Sequence, residues 1–347
     1  MNAALRAVVR VAAKLGFETM GIRRGYSGLL EGDAAPLSLA EVSGTVRLGG
    51  TILGTSRSPE FQTEAGQERA RRQIGALGLE GLIVIGGNGS LAGAHRLASF
   101  PAASGASLRV IGIPASIDND IGCTSLSIGV DTALNTIVDA CDRILDTAAA
   151  HQRIFVVEVM GRDCGYLAMT GAIAAGAHGL LYPERGRSEE ELLANVEAIV
   201  REVYGKPGGS RRALIVKSEG VKLPADRLRR KLEERIAKDF PAAEVRVTVL
   251  GHMVRGGSPS AQDRLIATRL GNVALRSVIE GRTDEMVAWR PPPLGPPPAF
   301  LSPLDPSIAL FPLEAVLEET RRLKDGTSEL SRWRVKVLSE IEGILAF

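Results

Sequence analysis

The chain has 347 residues, of which 45% are hydrophobic and 24% are charged. This composition is ordinary for a globular protein, and the length favours two domains, or one large α/β unit with a lobe, over a single core. The 42 Lys and Arg residues nearly balance the 40 Asp and Glu residues, so the net charge of +2 gives no case for a nucleic-acid or membrane partner.

The cysteines and the hydropathy indicate the compartment. Cys123, Cys141 and Cys164 show neither a C-x-x-C spacing nor an even count, which argues against a disulfide framework and against structural zinc. No stretch reaches the ~18 uninterrupted apolar residues that a membrane span needs, and the first residues lack the layout of a signal peptide. We therefore expect a protein of the reducing cytoplasm.

The chain opens on a predicted helix, because apolar residues recur at helical spacing over residues 1–15. A strand and a glycine turn normally precede the first helix of an α/β domain, so this opening is unusual.

A glycine-rich turn follows the strand predicted at residues 82–85. The turn reads GGNGS over residues 86–90, and a helix is predicted from about residue 91 to residue 97. Glycines let the backbone approach a ligand, and the N–H groups at the start of a helix favour an anion, so this unit is suited to binding phosphate. Two other interpretations stay open: a tight corner without a ligand, and a loose match to a dinucleotide-binding motif.

Two carboxylates follow the short buried strand predicted at residues 110–113. Asp118 and Asp120 stand on either side of Asn119. Ligands of open α/β sheets bind beyond the carboxyl ends of strands, where a carboxylate can accept a proton from a hydroxyl group or hold Mg²⁺. The alternative is an acidic loop that caps a helix.

Further predicted strands also end in polar residues. Arg162 follows the strand at residues 154–159, Glu219 follows the strand at residues 213–217, and His252 and Arg255 follow the strand at residues 245–250. Each is compatible with a solvated loop charge or a structural histidine, but together with Asp118 they predict one site for phosphate or sugar hydroxyls.

With these residues in view, the chain resembles the bacterial type of the ATP-dependent 6-phosphofructokinase family from residue 1 to about residue 280. Six segments carry the resemblance, in the order MNAALRAVVR, GGTILGTSRSPEF, GGNGS, PASIDND, HQRIFVVEVMGRDCGYL and VLGHMVRGGSPSAQDR. We expect an α/β fold of two Rossmann-like three-layer lobes with mostly parallel sheets. Residues 1–129 with 255–290 are assigned to a nucleotide-binding lobe, residues 130–254 with 301–347 to a sugar-phosphate-binding lobe, and residues 291–300 to a proline-rich connector.

The resemblance implies phosphoryl transfer from Mg-ATP to the 1-hydroxyl of fructose 6-phosphate. Asp118 matches the general base, Ser116 a threonine beside it, and Arg162 the cation that stabilises the transferring group. Asp120 and Asn88 match residues near the metal. The substrate-binding positions are matched by Arg153, Met160, Gly161, Glu219, Arg246, His252 and Arg255, and the nucleotide-binding positions by Tyr26, Arg57, Gly87, Asn88, Gly89 and Ser90.

The same resemblance implies a homotetramer. Arg153 and Arg246 match arginines that the family reaches across a subunit interface, so each active site is expected to need two chains. Small residues at Gly89 and Ala115 stand where the diphosphate-dependent branch carries Asp and Lys, and this difference favours ATP as the donor.

Several positions depart from the family. Asn88 replaces a metal-associated Asp, so Mg²⁺ is expected to bind less tightly. The family's opening strand and GGDAPG-type loop do not precede Met1. The explanation that we prefer is a start codon assigned too far downstream. Arg6 and Arg10 match effector ligands, but uncharged or weakly basic residues replace the others, so we expect the usual allostery to be lost; the replaced positions are Leu39, Leu145, His178 and Ser210.

The C-terminal residues predict two helices, at residues 313–323 and 328–345. In the second helix an apolar stripe is expected to pack on the body or on a neighbouring subunit; it consists of Trp333, Val337, Ile341 and Leu345. Three alternative functions stay open: a diphosphate-dependent enzyme, a kinase of another glycine-turn family such as the NAD kinases, and a sugar-phosphate-binding subunit without catalysis.

Overall fold

The computed structural model describes residues 1–101, 105, 107–205, 211–291 and 301–345. The helices of these ranges are α1 (Asn2–Leu15), α2 (Tyr26–Glu31), α3 (Glu64–Ala76), α4 (Asn88–Leu97), α5 (Val130–His151), α6 (Tyr166–Ala174), α7 (Glu189–Gly205), α8 (Ala225–Ile236), α9 (Ala261–Ile279), α10 (Leu313–Asp325) and α11 (Glu329–Leu345). The strands are β1 (Met20–Ile22), β2 (Ala34–Pro36), β3 (Gly81–Gly86), β4 (Arg109–Pro114), β5 (Ile154–Val159), β6 (Gly179–Leu181), β7 (Ala213–Ser218), β8 (Val245–Val249), β9 (Glu285–Trp289), β10 (Leu301–Ser302) and β11 (Asp305–Pro312).

The chain divides into two compact units. The first unit consists of Met1–Ser116, Ile121–Asp131 and Gly257–Arg321, and the second consists of Ile117–Asp120, Thr132–Gly256 and Arg322–Phe347.

The first unit is built on a five-stranded sheet in the order β10-β11-β9-β4-β3. Strands β3, β4 and β9 run parallel, whereas β11 and β10 are antiparallel additions at one side. Side chains of β4 alternate between two cores, because Ile111 and Ile113 pack with α1 and α9 while Val110 packs with α3, α4 and α10. The unit is therefore a three-layer α/β structure.

The second unit holds a parallel four-stranded sheet in the order β6-β7-β5-β8. One face carries the core under α7 and α8, which includes Ile154, Ile215, Leu193 and Leu228. Helix α6 packs against β7. Because β5 is hydrogen-bonded to both β7 and β8 in parallel, the carboxyl ends of these three strands lie at one edge of the sheet.

The predicted α/β class with mostly parallel sheets is confirmed, and three details differ. Residues 301–321 were predicted in the lobe of residues 130–254 but belong to the first unit, because β10 and β11 extend its sheet, and residues 117–120 were predicted with residues 1–129 but belong to the second unit. Helix α4 begins at Asn88 and not at about residue 91. Trp333 is 62% exposed, so it does not pack on the body of its own chain, and packing on a neighbouring subunit stays a prediction; Leu338, outside the predicted stripe, is a buried hydrophobic residue of α11.

Two predictions fall outside the described residues. They concern Ser210 and residues 292–300 of the proline-rich connector. Within the part of the chain that the structure describes, no helix is both long enough and apolar enough to cross a membrane.

Candidate active site

The loops that follow β5 and β7 pack tightly against each other. The Gly161 carbonyl accepts hydrogen bonds from Ser218 Oγ at 2.6 Å and from the Gly220 N–H at 3.3 Å. A Cβ atom at Gly220 would lie 2.2 Å from the Arg162 carbonyl oxygen, and Gly161 has φ +124°, so both positions require glycine. The structure thereby brings Arg162 and Glu219, whose side chains are exposed, onto two adjoining loops.

The turn after β8 adds two basic residues to this edge of the sheet. His252 and Arg255 lie in the 3-10 helix Gly251–Arg255, and both are exposed. The Arg255 Nε group donates a hydrogen bond to Met160 Sδ at 3.2 Å, which connects this turn to the loop after β5.

Asp118 lies in the second unit with an unusual carboxyl group. Its side chain is half-buried, and its buried Oδ1 atom has no hydrogen-bond partner among the described residues. Burial, and next the charge of Asp120, raise the pKa of Asp118 to about 6; Glu219 and Asp163 act in the same direction, whereas the Arg255 guanidinium lowers it. These charges surround a carboxylate that can accept a proton near neutral pH.

Asp163 also contributes to this electrostatic environment, although its sequence pattern did not predict a role. Asp163 directly follows Arg162 and is exposed, and its charge helps to raise the pKa of Asp118. Its position directly after Met160-Gly161-Arg162 was the feature of the sequence that could have indicated this contribution.

Asn119, between the two aspartates, adopts a left-handed backbone conformation. Asn119 has φ +51° and is 1% exposed, and asparagine tolerates this left-handed conformation better than most residues. Asp120 is 8% exposed.

The glycine-rich turn of the first unit leads directly from β3 into α4. Gly87 precedes the helix, and its carbonyl accepts the N–H groups of Ser90 at 2.9 Å and Leu91 at 3.0 Å. Asn88, Gly89 and Ser90 therefore form the first helical turn, where N–H groups and the helix dipole attract anions. A Cβ atom at Gly89 would have no neighbour within 4 Å.

Ser116 lies beside this turn. The register pairs Gly86 with Pro114, and a Cβ atom at Gly87 would lie 3.8 Å from Ser116 Cβ. Ser127 Oγ accepts the Ser116 N–H at 3.3 Å and donates to the Ser116 carbonyl, so the Ser116 backbone is held on both sides.

Tyr26 supports the start of α4. Its hydroxyl donates to the Ser90 carbonyl at 2.5 Å, and its ring stacks on Phe61 with centroids 4.2 Å apart. Burial raises the pKa of Tyr26. Arg57 is exposed on a neighbouring loop, where its carbonyl accepts a hydrogen bond from Ser27 Oγ at 3.3 Å.

Arg153 and Arg246 do not join the other predicted substrate residues within the chain. Both bind Glu244, with nitrogen–oxygen distances of 2.7 Å and 2.8 Å. Arg153 precedes β5, and Arg246 is the second residue of β8. They therefore lie near the amino ends of strands whose carboxyl ends lead to Met160 and Arg255; Arg153 and Met160 are separated by the length of β5, roughly 20 Å at about 3.3 Å per residue.

His178 and Leu39 are two of the positions at which the sequence predicts that charged effector ligands are replaced. His178 Nδ1 accepts the Leu214 N–H at 3.2 Å, and burial lowers its pKa. Leu39 is 51% exposed.

The described residues contain no group of three or more His, Cys, Asp and Glu side chains that could hold a metal ion. A catalytic Mg²⁺ does not require such a cage, because it keeps several waters and binds one or two protein oxygens together with substrate phosphates. Asp120 in the second unit and Asn88 in the first unit each offer an oxygen donor of the kind that Mg²⁺ binds.

Comparison with known proteins identifies the family. The phosphofructokinase family model matches residues 1–278. The chain is 45% identical over 290 residues to an ATP-dependent 6-phosphofructokinase of Natranaerobius thermophilus, covering 84% of this chain and 85% of that protein. It is 46% identical over 288 residues to the enzyme of the same name from Thermotoga neapolitana, covering 83% and 85%.

A solved structure agrees with this result. Phosphofructokinase from Saccharomyces cerevisiae is similar with a TM-score of 0.85 and 28% identity, over 99% of this chain and 48% of the yeast chain. The chain thus spans about half the length of that protein. The family suggested by the six sequence segments is confirmed, and the chain belongs to the phosphofructokinase family.

Proposed function

We propose that the chain transfers the γ-phosphoryl group of ATP to the 1-hydroxyl of fructose 6-phosphate, a step of glycolysis that gives fructose 1,6-bisphosphate and ADP. One observation carries the proposal: the half-buried carboxylate of Asp118 has a buried oxygen without a hydrogen-bond partner among the described residues and a pKa of about 6. Such a group is suited to taking a proton from a sugar alcohol.

The chemical step assigns Asp118 as the general base. The 1-oxygen attacks the γ-phosphorus, its proton moves to the Asp118 carboxylate, and the bond from the γ-phosphorus to the bridging oxygen of ADP breaks. A carboxylate of pKa about 6 is ionised at neutral pH and is a stronger base than one at the ordinary value of 3.8. Arg162 is assigned to balance the negative charge on the transferring group, and Ser116 is assigned a role in the same step.

The sugar phosphate is assigned to the loops of the second unit. Met160, Gly161 and Glu219 contact the sugar, and His252 and Arg255 bind the 6-phosphate. The contact between Arg255 and Met160 supports this assignment, because it orients a guanidinium whose remaining N–H groups can bind a phosphate.

The nucleotide is assigned to the start of α4. Gly87, Gly89 and Ser90 bind its phosphates through backbone N–H groups, and Tyr26 and Arg57 flank this site. The space at Gly89 supports ATP over diphosphate, since a Cβ atom there would have no neighbour within 4 Å among the described residues. Ala115 is equally small.

We assign Mg²⁺ to Asp120 and Asn88. When bound there, the ion would neutralise negative charge on the phosphates of ATP. Asn88 keeps an oxygen ligand but lacks the charge of a carboxylate, so the chain should need more Mg²⁺ than a relative with two acidic ligands.

Arg153 and Arg246 are assigned to the active site of a neighbouring chain in a homotetramer. Their position at the amino ends of β5 and β8 supports this assignment, because neither can reach the carboxyl-end residues of its own sheet. We place the enzyme in the cytoplasm, which agrees with free thiols at Cys123, Cys141 and Cys164.

The test is a donor and acceptor assay of the full chain, with Asp118→Asn as its control. Formation of fructose 1,6-bisphosphate with ATP, and its loss by a factor of about 10²–10⁴ in Asp118→Asn with little change in sugar binding, is the expected result. Turnover with diphosphate but not with ATP would overturn the assignment of ATP as the phosphoryl donor. Tight sugar-phosphate binding without turnover by either donor would establish a non-catalytic binding subunit.

A further inference from the structure

Lys217 places a charged side chain in the core of the second unit. It is 1% exposed and lies on β7, two and four residues after Ile215 and Ala213, which face the core under α7 and α8. Lysine is almost never this deeply buried unless its ammonium group is paired, because desolvation of the charge is unfavourable. An aliphatic residue would satisfy the same position without that cost.

The ammonium group of Lys217 connects the ends of two neighbouring strands. Nζ donates to Glu158 Oε2 at 2.7 Å and to the Ser218 carbonyl at 3.1 Å. Glu158 is the residue opposite Lys217 in the parallel ladder of β5 and β7.

The second of these hydrogen bonds acts on the peptide group that joins Ser218 to Glu219. The carbonyl of this peptide accepts from Lys217, and its N–H donates to the Val159 carbonyl at 2.8 Å. The peptide plane directly before Glu219 is therefore held at both of its polar atoms. Ser218 Oγ extends the network to Gly161 at 2.6 Å, next to Arg162.

We infer that Lys217 is a positioning residue that orients the peptide before Glu219 and so sets the affinity of the site for the sugar phosphate. The inference rests on the proposed function, because Glu219 must contact the sugar for its orientation to matter. Glu158 neutralises the ammonium and keeps it in place, and Lys217 itself does not touch the substrate.

A cavity next to the ion pair makes the inference testable by substitution. Its volume is about 460 Å³, and Lys217, Glu158 and Val247 are among its lining residues. The Glu158 side chain is 20% exposed there, so water can reach the carboxylate after Lys217 is replaced. Removal of the ammonium should therefore leave a solvated carboxylate and a folded protein.

The experiment compares Lys217→Met with wild-type protein. Methionine keeps an unbranched apolar side chain and removes all three donors. The expected result is a rise of about tenfold in KM for fructose 6-phosphate, with KM for ATP within about twofold and kcat within about threefold. Val196→Ala is the matched control, since Val196 is 0% exposed in the same core on α7 and should lower Tm without changing either KM.

A double-mutant cycle with Glu219→Gln separates positioning from a general structural effect. If Lys217 acts through Glu219, then Lys217→Met should change the fructose 6-phosphate KM by less than about threefold in the Glu219→Gln background. An undiminished effect there, an equal rise in both KM values, or a KM within twofold of wild type would overturn the inference.

Calorimetric titration with fructose 6-phosphate distinguishes this inference from the proposed function. A wild-type chain that binds the sugar phosphate without turnover would overturn the proposed catalysis alone, and the ratio of Kd values would then decide the role of Lys217. A wild-type chain that neither binds nor turns over the sugar phosphate would overturn both.

Discussion

The Nε group of Arg255 donates its hydrogen bond to the thioether sulfur of Met160 at 3.2 Å. Met160 is 6% exposed, so the surrounding residues hold its side chain in place, whereas Arg255 is exposed to solvent on the turn after β8. Because a thioether is a weak, uncharged acceptor, the contact orients the guanidinium without neutralising it. The charge of Arg255 remains available to a phosphate and to Asp118, whose pKa it lowers.

Met160→Leu tests this contact, because leucine conserves volume and removes the sulfur acceptor. We expect KM for fructose 6-phosphate to rise about three- to tenfold while KM for ATP stays within about twofold. Steady-state kinetics provide the measurement. Met169→Leu makes the same exchange at a buried methionine of α6 and should change neither constant; equal effects at both positions would contradict the role of the sulfur.

The pKa of Asp118 predicts the acid limb of the pH profile. Below a pKa of about 6 the carboxyl group is protonated and cannot accept the substrate proton, so kcat/KM should fall with decreasing pH through that value. Asp120→Asn removes a charge that raises this pKa, and its limb should therefore lie at lower pH. The phosphate of the substrate titrates in the same pH range, so the pH profile of Asp120→Asn is compared with that of the wild type. If the acid limbs of the two profiles coincide, Asp118 is not the titrating base.

Asp118 should also reduce the stability of the fold. Its folded-state pKa of about 6 exceeds the ordinary value of 3.8, so folding disfavours the ionised carboxylate; this cost is present above pH 6 and disappears toward pH 4. We expect Asp118→Asn to raise the free energy of unfolding at pH 7 by roughly 1–2 kcal/mol, and by about half as much at pH 5. Urea denaturation at the two pH values measures this difference. Asp146→Asn, at an exposed position of α5, should have no such effect.

Gly89 provides a test of donor choice. An aspartate there would extend into open space and would be favoured by the dipole at the start of α4, so the fold should tolerate it. Its negative charge should repel the nucleotide phosphates and raise KM for ATP by about tenfold or more. Gly89→Ala adds only a methyl group, which would have no neighbour within 4 Å, and should stay close to wild type. An equal loss in both variants would show that backbone flexibility matters and charge does not.

Shared active sites predict complementation between two inactive variants. Asp118→Asn removes the base, and Arg246→Ala removes a residue that we assign to the neighbouring chain. Random assembly of equal amounts should leave about a quarter of the sites with both groups intact. Co-expression followed by measurement of specific activity tests this, and activity no higher than that of either variant alone would contradict the assignment of Arg246 to the active site of a neighbouring chain.

Local patterns predicted the strands well and the helix start at Asn88 poorly. The apolar runs of β3, β4, β5 and β7 end at turn residues, so their bounds were found to within about one residue. In contrast, Asn88 and Gly89 have low helix propensity and read as a loop, although the chain turns from β3 directly into α4. The four-residue spacing that begins at Trp333 predicted a face packed on the body or on a neighbouring subunit; within the chain Trp333 is exposed, and Leu338, outside this stripe, is buried.

The residue types of the site could be predicted from the sequence, but the contacts between their side chains could not. Parallel strands end at one edge of a sheet, which is why Arg162, Glu219 and Arg255 were expected together. The contact of Arg255 with Met160 and the pairing of Lys217 with Glu158 depend on which strands are neighbours, across sequence separations of 95 and 59 residues. The raised pKa of Asp118 likewise depends on burial, which the sequence of one loop does not reveal.

The close approach of Gly220 to the Arg162 backbone affects how a saturation mutagenesis survey of this enzyme should be interpreted. Any side chain at Gly220 would push apart two loops, so every substitution there should score as severely as the loss of Asp118 itself. Intolerance at Gly220 would report the lack of room between two backbones and would not identify a group that recognises the sugar.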